Sequence, residues 1–333
     1  MKKASYYTVK EGKTVQCLLC PHNCTIKEGK YGICKVRQNV DGTLYSLNYG
    51  NLIAIHVDPM EKKPLYHFYP GAKTLSMAAP GCNFKCLNCQ NYTISQPDNS
   101  ILKAGRHVTP EEIVFNAKKA GLSHITFTYT EPTIYFEYMI ETARLAKEND
   151  IKCSIVSNGY INLKPLEELI PYIEAANIDL KFADNEKYGK IAKGRLEPVL
   201  TTIETLFKKG IITEITTLII PQINDTPKEF LKLTELILKI SDLIPWHISA
   251  FYPTYKMTDL PPTSAETIKK LRKLAIENGM KYVYTGNIPD KEGSTTFCHK
   301  CKQPVIERFY YSVIDKSENG KCPFCNTPIY GKF

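Results

Sequence analysis

Eleven of the twelve cysteines in this 333-residue chain fall into three tight groups, and only Cys153 stands alone. The groups are Cys17, Cys20, Cys24 and Cys34; Cys82, Cys86 and Cys89; and Cys298, Cys301, Cys322 and Cys325. Gaps of two and three residues let a short loop bring several thiolates to one centre. They rarely allow good disulfide geometry between neighbours. The N-terminal MKKASYYTVKEGK lacks the apolar stretch of a secretory signal, and no apolar run is long enough to span a bilayer. A cytoplasmic location is therefore expected. Thiols stay reduced there, so cysteines at this spacing read as metal ligands.

The groups divide the chain into an N-terminal Cys-rich domain (residues 1–72), a long middle region (73–290) and a C-terminal domain (291–333). The middle region carries short apolar runs at Thr74–Ala79, His124–Thr130, Lys152–Ser157, Ala176–Phe182, Thr213–Ile220 and Trp246–Phe251. Such runs suit buried parallel strands. Helical segments separate them. Capping-box patterns open three helices, at Thr109 with Glu112, at Thr226 with Glu229 and at Thr263 with Glu266. Gly121, Gly210 and Gly279 mark helix ends. Six strand–helix units in a row predict an α/β fold with a parallel sheet, either open or a partial barrel. In both, ligands bind at the carboxyl ends of the strands.

Charge adds little. The net value of +9 comes from scattered lysines such as Lys118 and Lys119. This reads as a solvated surface, and a nucleic-acid partner is not expected.

The central triad lies in GCNFKCLNCQN, just after the first predicted strand. Three thiolates on one loop suit a four-iron cluster with one iron left open. The competing occupant is a zinc ion completed by a distant histidine. The position at a strand end favours the cluster.

The triad and its setting resemble the radical S-adenosylmethionine (SAM) superfamily. The closer likeness is to its glycyl-radical activating-enzyme branch, in particular the group called AmmeMemoRadiSam system radical SAM enzymes. The matching stretches are CLLCPHNC with YGICKVR, GCNFKCLNCQNYTISQP, FTYTEPT, VSNGY, NIDLKF, HISAFYP and YVYTGNIP. The resemblance implies a partial (β/α)6 TIM-type barrel. It also implies a [4Fe–4S] cluster at Cys82, Cys86 and Cys89 that cleaves SAM reductively, and hydrogen abstraction from a substrate. Partners would be a one-electron donor of the flavodoxin or ferredoxin kind and a protein substrate, with a small molecule or peptide as the alternative. One departure is Asn88, which stands where the family usually places an aromatic residue near the adenine. A second is Val156, where related activating enzymes often carry Asp.

Strand ends supply the remaining SAM contacts. Thr130 and Glu131 occupy the place of the family's glycine-glycine-glutamate motif, where a carboxylate suits the SAM ammonium. Glu131 equally suits a helix N-terminus. Ser157 and Asn158 fit ribose hydroxyls, and Asn158-Gly159 also reads as a turn. Asn177, Asp179 and Lys181 alternate onto one face. The resemblance gives Asp179 and Lys181 the methionyl end of SAM, against an internal salt bridge. By the same analogy His247 faces the ribose, against a satisfied core histidine. Cys153 reads as a small buried residue.

At the C-terminus, two Cys-x2-Cys knuckles joined by twenty residues read as a zinc ribbon. The N-terminal Cys17, Cys20, Cys24 and Cys34 can close one site, with zinc the simpler occupant and a second iron–sulfur cluster the other. His22 could replace one thiolate. A function of another class, a zinc-stabilised binding module without catalysis, would place zinc at all three groups.

Overall fold

The computed structural model describes residues 1–96, 102 and 104–333. Pro97, which closes the GCNFKCLNCQNYTISQP stretch, lies outside the described residues. The centre is one eight-stranded mixed sheet: β1 (Ala54–Pro59), β2 (Lys73–Ala78), β3 (His124–Phe127), β4 (Lys152–Ser157), β5 (Ala175–Asp179), β6 (Ile212–Ile219), β7 (Trp246–Ala250) and β8 (Val283–Gly286). The strands stand in sequence order across the sheet. Strands β2 to β8 run parallel. β1 pairs antiparallel with β2, so a strand preceding residue 72 extends the sheet.

A principal helix lies in each parallel crossover: α1 (Pro110–Lys119), α2 (Phe136–Glu148), α3 (Leu163–Leu169), α4 (Leu196–Lys208), α5 (Pro227–Leu238) and α6 (Ala265–Glu277). The six strand–helix units are thus present, with a seventh parallel strand after them. That strand, β8, has only four residues, which is too short for a clear periodic signal.

Local chemistry sets the helix starts. Thr109 and Glu112 form the reciprocal capping box of α1. Thr226 caps α5 by accepting from the Glu229 amide, but the Glu229 carboxylate turns to Lys187 and Lys232. In α6 the cap is Ser264, whose hydroxyl accepts from the Thr267 amide at 3.0 Å. Thr263 instead donates to the Ile219 carbonyl and accepts from the Phe251 amide, joining the ends of β6 and β7. Two strands end earlier than the apolar runs suggest. β3 stops at Phe127 because Tyr129 adopts φ 64° and breaks the extended path. β5 stops at Asp179.

The loop between β1 and β2 closes one end of the sheet's inner face. The Pro64 carbonyl accepts from Asn177 Nδ2 at 2.7 Å, and the His67 amide donates to Glu214 Oε1 at 2.8 Å. Tyr66 packs edge-on against His247, with ring centroids 4.7 Å apart. Arg308, from the C-terminal region, donates to the Tyr66 carbonyl at 2.7 Å. It also lies 3.5 Å from Glu61, with both side chains fully buried.

The flanking regions are small antiparallel sheets. Two three-stranded sheets precede β1, and one three-stranded sheet follows β8. The apolar side chains of the first, including Val15, Leu19, Ile26 and Val36, merge into the main core. The last region packs its own cluster of Cys298, Val305, Ile306, Cys322 and Ile329 against Tyr282 and Tyr284.

Candidate active site

At the carboxyl ends of the strands a cleft of about 400 Å3 opens. Cys82, Cys86 and Cys89 lie along it with Asn88, Thr130, Glu131, Val156, Ser157, Asn158, Asp179 and Lys181. The structure therefore gathers the triad and six of the seven predicted SAM-contacting residues.

The triad loop is held tightly. The Phe84 amide donates to Cys82 Sγ at 3.3 Å, and Asn158 Nδ2 reaches the same sulfur at 3.7 Å. Asn158 also donates to Asn83 Oδ1 at 2.8 Å, while Asn83 Nδ2 donates to the Tyr160 carbonyl. Burial pushes the Cys82 thiol well up and the Cys86 thiol up to about 11. A buried thiol resists ionisation unless a cation sits beside it.

Glu131 is 1% exposed, and four donors converge on its carboxylate. Oε1 accepts from the Thr133 amide at 3.0 Å, the Thr133 hydroxyl at 2.7 Å and the Ser157 hydroxyl at 2.8 Å. Among the described residues Oε2 accepts only from the Asn158 amide, at 2.8 Å. Glu131 and Ser157 thus lock the ends of β3 and β4 together. Burial still raises the Glu131 carboxyl above its usual value against these donors. Thr130 donates to the Ala79 carbonyl at 2.6 Å, tying β3 to β2.

Across the cleft, Lys181 Nζ contacts Asp179 Oδ2 at 2.8 Å, with roughly a quarter and a third of the two side chains exposed (24% and 34%). Burial would lower the Lys181 ammonium, but Asp179 and the nearby Cys86 outweigh it and raise it. At another wall Lys62 and Lys63 share Asp58 at 2.8 and 2.6 Å, and the Tyr129 hydroxyl donates to the same carboxylate.

His247 is not brought to the cleft. Its Nε2 meets Glu214 Oε2 at 2.7 Å in the closed end below, between Tyr66 and Tyr284. Burial would raise the Glu214 carboxyl, yet contact with His247 and His67 holds it below the usual value. Ser249, two residues on, lines the cleft instead, as does Thr216. The period of two on β6 and β7 carries the signal for both. Asn177 is likewise engaged below, with Pro64 and with Thr216 at 2.8 Å. Cys153 is 1% exposed and far from any group of thiols along the chain. Asn83 and Lys85 carry no motif signal beyond lying between the cysteines.

The other cysteines form two further groups. Cys298, Cys301, Cys322 and Cys325 place their four sulfurs within 4.8 Å of one another. Cys298 and Cys325 lie 3.5 Å apart, and Cys301 and Cys322 3.6 Å. Cys17, Cys20, Cys24 and Cys34 line a separate cavity of about 20 Å3 with His22, Gly32, Arg37 and Asn83. In the triad an amide two residues on, that of Phe84, donates to the Cys82 sulfur. Such donors stabilise thiolate, the form that binds metal.

A profile described as the radical SAM superfamily matches residues 77–237, which begin in β2 and span the triad, most of the cleft lining and β6. An uncharacterized protein of Methanocaldococcus jannaschii is 43% identical over 334 residues, covering 99% of each chain. The chain belongs to the radical SAM superfamily. It is an enzyme of that superfamily, and several of its curated relatives are named as activating enzymes, consistent with the activating-enzyme-like branch. The pyruvate formate-lyase-activating enzyme of Clostridium pasteurianum is 26% identical over 228 residues, covering 61% of this chain and 90% of its own. The 4-hydroxyphenylacetate decarboxylase activating enzyme of Clostridium scatologenes is 23% identical over 226 residues, covering 61% of this chain and 72% of its own. In fold, a radical SAM methyltransferase from Sphaerobacter thermophilus aligns with TM-score 0.50 and 15% identity over 71% of both chains. Among the described residues no helix is long and apolar enough to cross a membrane.

Proposed function

We propose that the enzyme binds a [4Fe–4S] cluster at Cys82, Cys86 and Cys89 and SAM in the adjoining cleft, and abstracts a hydrogen atom from a partner protein. The observation that carries this reading is the cleft itself. Three half-buried thiols open onto one space, and an Asp179–Lys181 ion pair faces the same space. A cluster bound there with one open iron would chelate SAM and supply the electron that breaks its carbon–sulfur bond.

The chain's own residues have separable tasks. Asn83 and Asn158 fix the loop around Cys82. Glu131 positions Ser157 and Asn158, and its Oε2, with one donor, keeps a lone pair for the SAM ammonium. Thr130 frames that corner from β3. Asp179 and Lys181 offer both signs of charge to the methionyl end. Asn158 and Ser157 stand at the ribose side. The relatives' names support a protein substrate, and the reductant would be a one-electron donor of flavodoxin or ferredoxin type. We read the open sheet as a partial barrel, with domains at residues 1–72, 73–290 and 291–333, in the cytoplasm. At the C-terminal group we propose zinc in a ribbon-like fold. Thiolates about 2.3 Å from a tetrahedral ion stand about 3.8 Å apart, close to the sulfur spacing found there.

The test is anaerobic purification, iron reconstitution and reduction in the presence of SAM. We expect about four irons bound by the triad, with 5′-deoxyadenosine released. Cys82→Ala should abolish release while the thermal melt persists. Release unchanged in Cys82→Ala would refute the assignment.

A further inference from the structure

One wall of the cleft comes from before residue 77, where the match to the superfamily begins. Asp58 lies near the end of β1, and Lys62 and Lys63 follow in the loop toward β2. Both lysines line the cleft together with the triad. Most of the cleft comes from the stretch shared with the superfamily, and this wall does not. A wall outside the shared stretch suits what is particular to this enzyme, its substrate.

The wall is built, and it carries an excess of positive charge. Asp58 is 4% exposed, and its carboxylate accepts from Lys62 Nζ at 2.8 Å, from Lys63 Nζ at 2.6 Å and from the Tyr129 hydroxyl. Burial would raise the Asp58 carboxyl, but these three donors outweigh it and hold it well below the usual range. One negative charge is therefore shared by two ammoniums. Lys63 is 2% exposed and fully engaged, because its Nζ also stands 4.1 Å from the centre of the Tyr129 ring. Lys62 is different. Nearly half of its side chain is exposed (46%), and Asp58 is its one ion-pair partner among the described residues. An ammonium has three donors, so Lys62 keeps two for a ligand in the cleft.

Tyr129 fixes this wall relative to the triad. It adopts φ 64°, a strained backbone for a bulky residue. Its hydroxyl meets Asp58 and its ring faces Lys63. Its carbonyl accepts from Asn91 Nδ2 at 2.6 Å, two residues beyond Cys89. Strain of this kind persists where the surroundings hold it, and here they join the lysine wall to the triad loop.

We propose that this wall is a subsite for a carboxylate of the substrate, of the kind an Asp or Glu side chain supplies. Lys62 makes the direct contact, and Asp58, Lys63 and Tyr129 position it. The net charge of the wall matches one negative charge, and a phosphate dianion would exceed it. The proposal rests on the reading above, in which the SAM carboxylate is taken up at the open iron and by the Asp179–Lys181 wall.

Saturation-transfer NMR on full-length, reconstituted and unreduced protein tests the subsite without turnover. The probes are N-acetylglutamate amide and its neutral isostere N-acetylglutamine amide, each with and without saturating SAM. The glutamate probe should bind at least about tenfold more tightly than the glutamine probe. Lys62→Met should abolish that preference, and Lys62→Arg should restore it. A thermal melt checks that both variants are folded. Equal affinities in the parent, no binding of either probe, or a preference retained in Lys62→Met would overturn the proposal. SAM and the glutamate probe should bind together. Displacement of the probe by SAM would give Lys62 to the SAM carboxylate and overturn the subsite, leaving SAM binding in the cleft intact. A parent that prefers the glutamate probe but takes no SAM would instead refute the reading above.

Discussion

Three neighbouring strands carry polar side chains on one face at two levels, and the levels end differently. Below stand Asn177 on β5 and its partner Glu214 on β6, joined by His247 of β7, which sits opposite Thr216 and reaches back to Glu214; two residues further along each strand stand Asp179, Thr216 and Ser249. The upper three line the cleft. Asn177 and Glu214 below are closed by the loop between β1 and β2, whose Pro64 carbonyl and His67 amide meet them. His247 is closed by Glu214 and the ring of Tyr66. Residue type and strand face are the same at both levels. What separates a binding surface from a structural floor is whether another part of the chain already supplies the partners.

The largest effect is expected where the floor is broken. Glu214 is fully buried and holds both His247 and the His67 amide. Glu214→Ala leaves His247 and the loop without their acceptor, at a cost of about 3–5 kcal/mol. Urea denaturation should show that loss, while any folded fraction still assembles the triad's cluster. If Glu214→Ala melts like the parent but loses SAM binding, the floor belongs to the active site and the distinction between levels fails.

The floor should also reveal itself through pH. Burial pushes the His67 imidazole down to about 4, from an ordinary value near 6.5. Burial does the same to His124, also to about 4. Between these values the unfolded chain binds protons that the folded chain does not. Stability is therefore full above about pH 6.5 and falls as pH drops toward 4. A loss of about 1–3 kcal/mol across this window is expected from denaturation midpoints. His67→Phe should remove part of the slope and leave the portion due to His124. An unaltered slope in that variant would mean that His67 is protonated in the fold.

How much of this was legible follows from the range of the interactions. The triad, the knuckles and the six strand–helix units depend on neighbours a few residues apart, so spacing and period expose them. The floor depends on residues 113 and 147 positions apart, as in Asn177 with Pro64 and Glu214 with His67. The loop LYHFYP has no period that marks it as an insert beneath a sheet. The ribose role of His247 came from the family likeness, and a likeness in strand position does not reveal that Glu214 and Tyr66 already enclose the ring. Glu131 was legible in place but not in wiring, since its donors come from residues two to twenty-seven positions later.

The upper level should respond to substitution in binding and hardly in stability. Asp179 and Lys181 are partly exposed, so the pair contributes little to the fold. Asp179→Asn should weaken SAM binding about tenfold, which corresponds to about 1.4 kcal/mol. The melt should move by no more than about 0.5 kcal/mol. A large loss of stability with unchanged affinity would make this pair part of the floor.

The smallest expected effect comes from Asn88, which lines the cleft just before the third cysteine of the triad. Asparagine offers hydrogen bonds there but little flat apolar surface. An aromatic ring at this place would stack on a purine and add about 0.5–1.5 kcal/mol. Asn88→Tyr should therefore tighten SAM binding by about two- to twelvefold, without altering the iron content. The gain requires that the adenine lie beside the triad loop, because a ring elsewhere in the cleft would meet only solvent. Titration of the reconstituted, unreduced protein with SAM measures it directly. Equal affinities in parent and variant would place the adenine away from residue 88 and move the nucleoside toward Thr216 and Ser249 on the far strands.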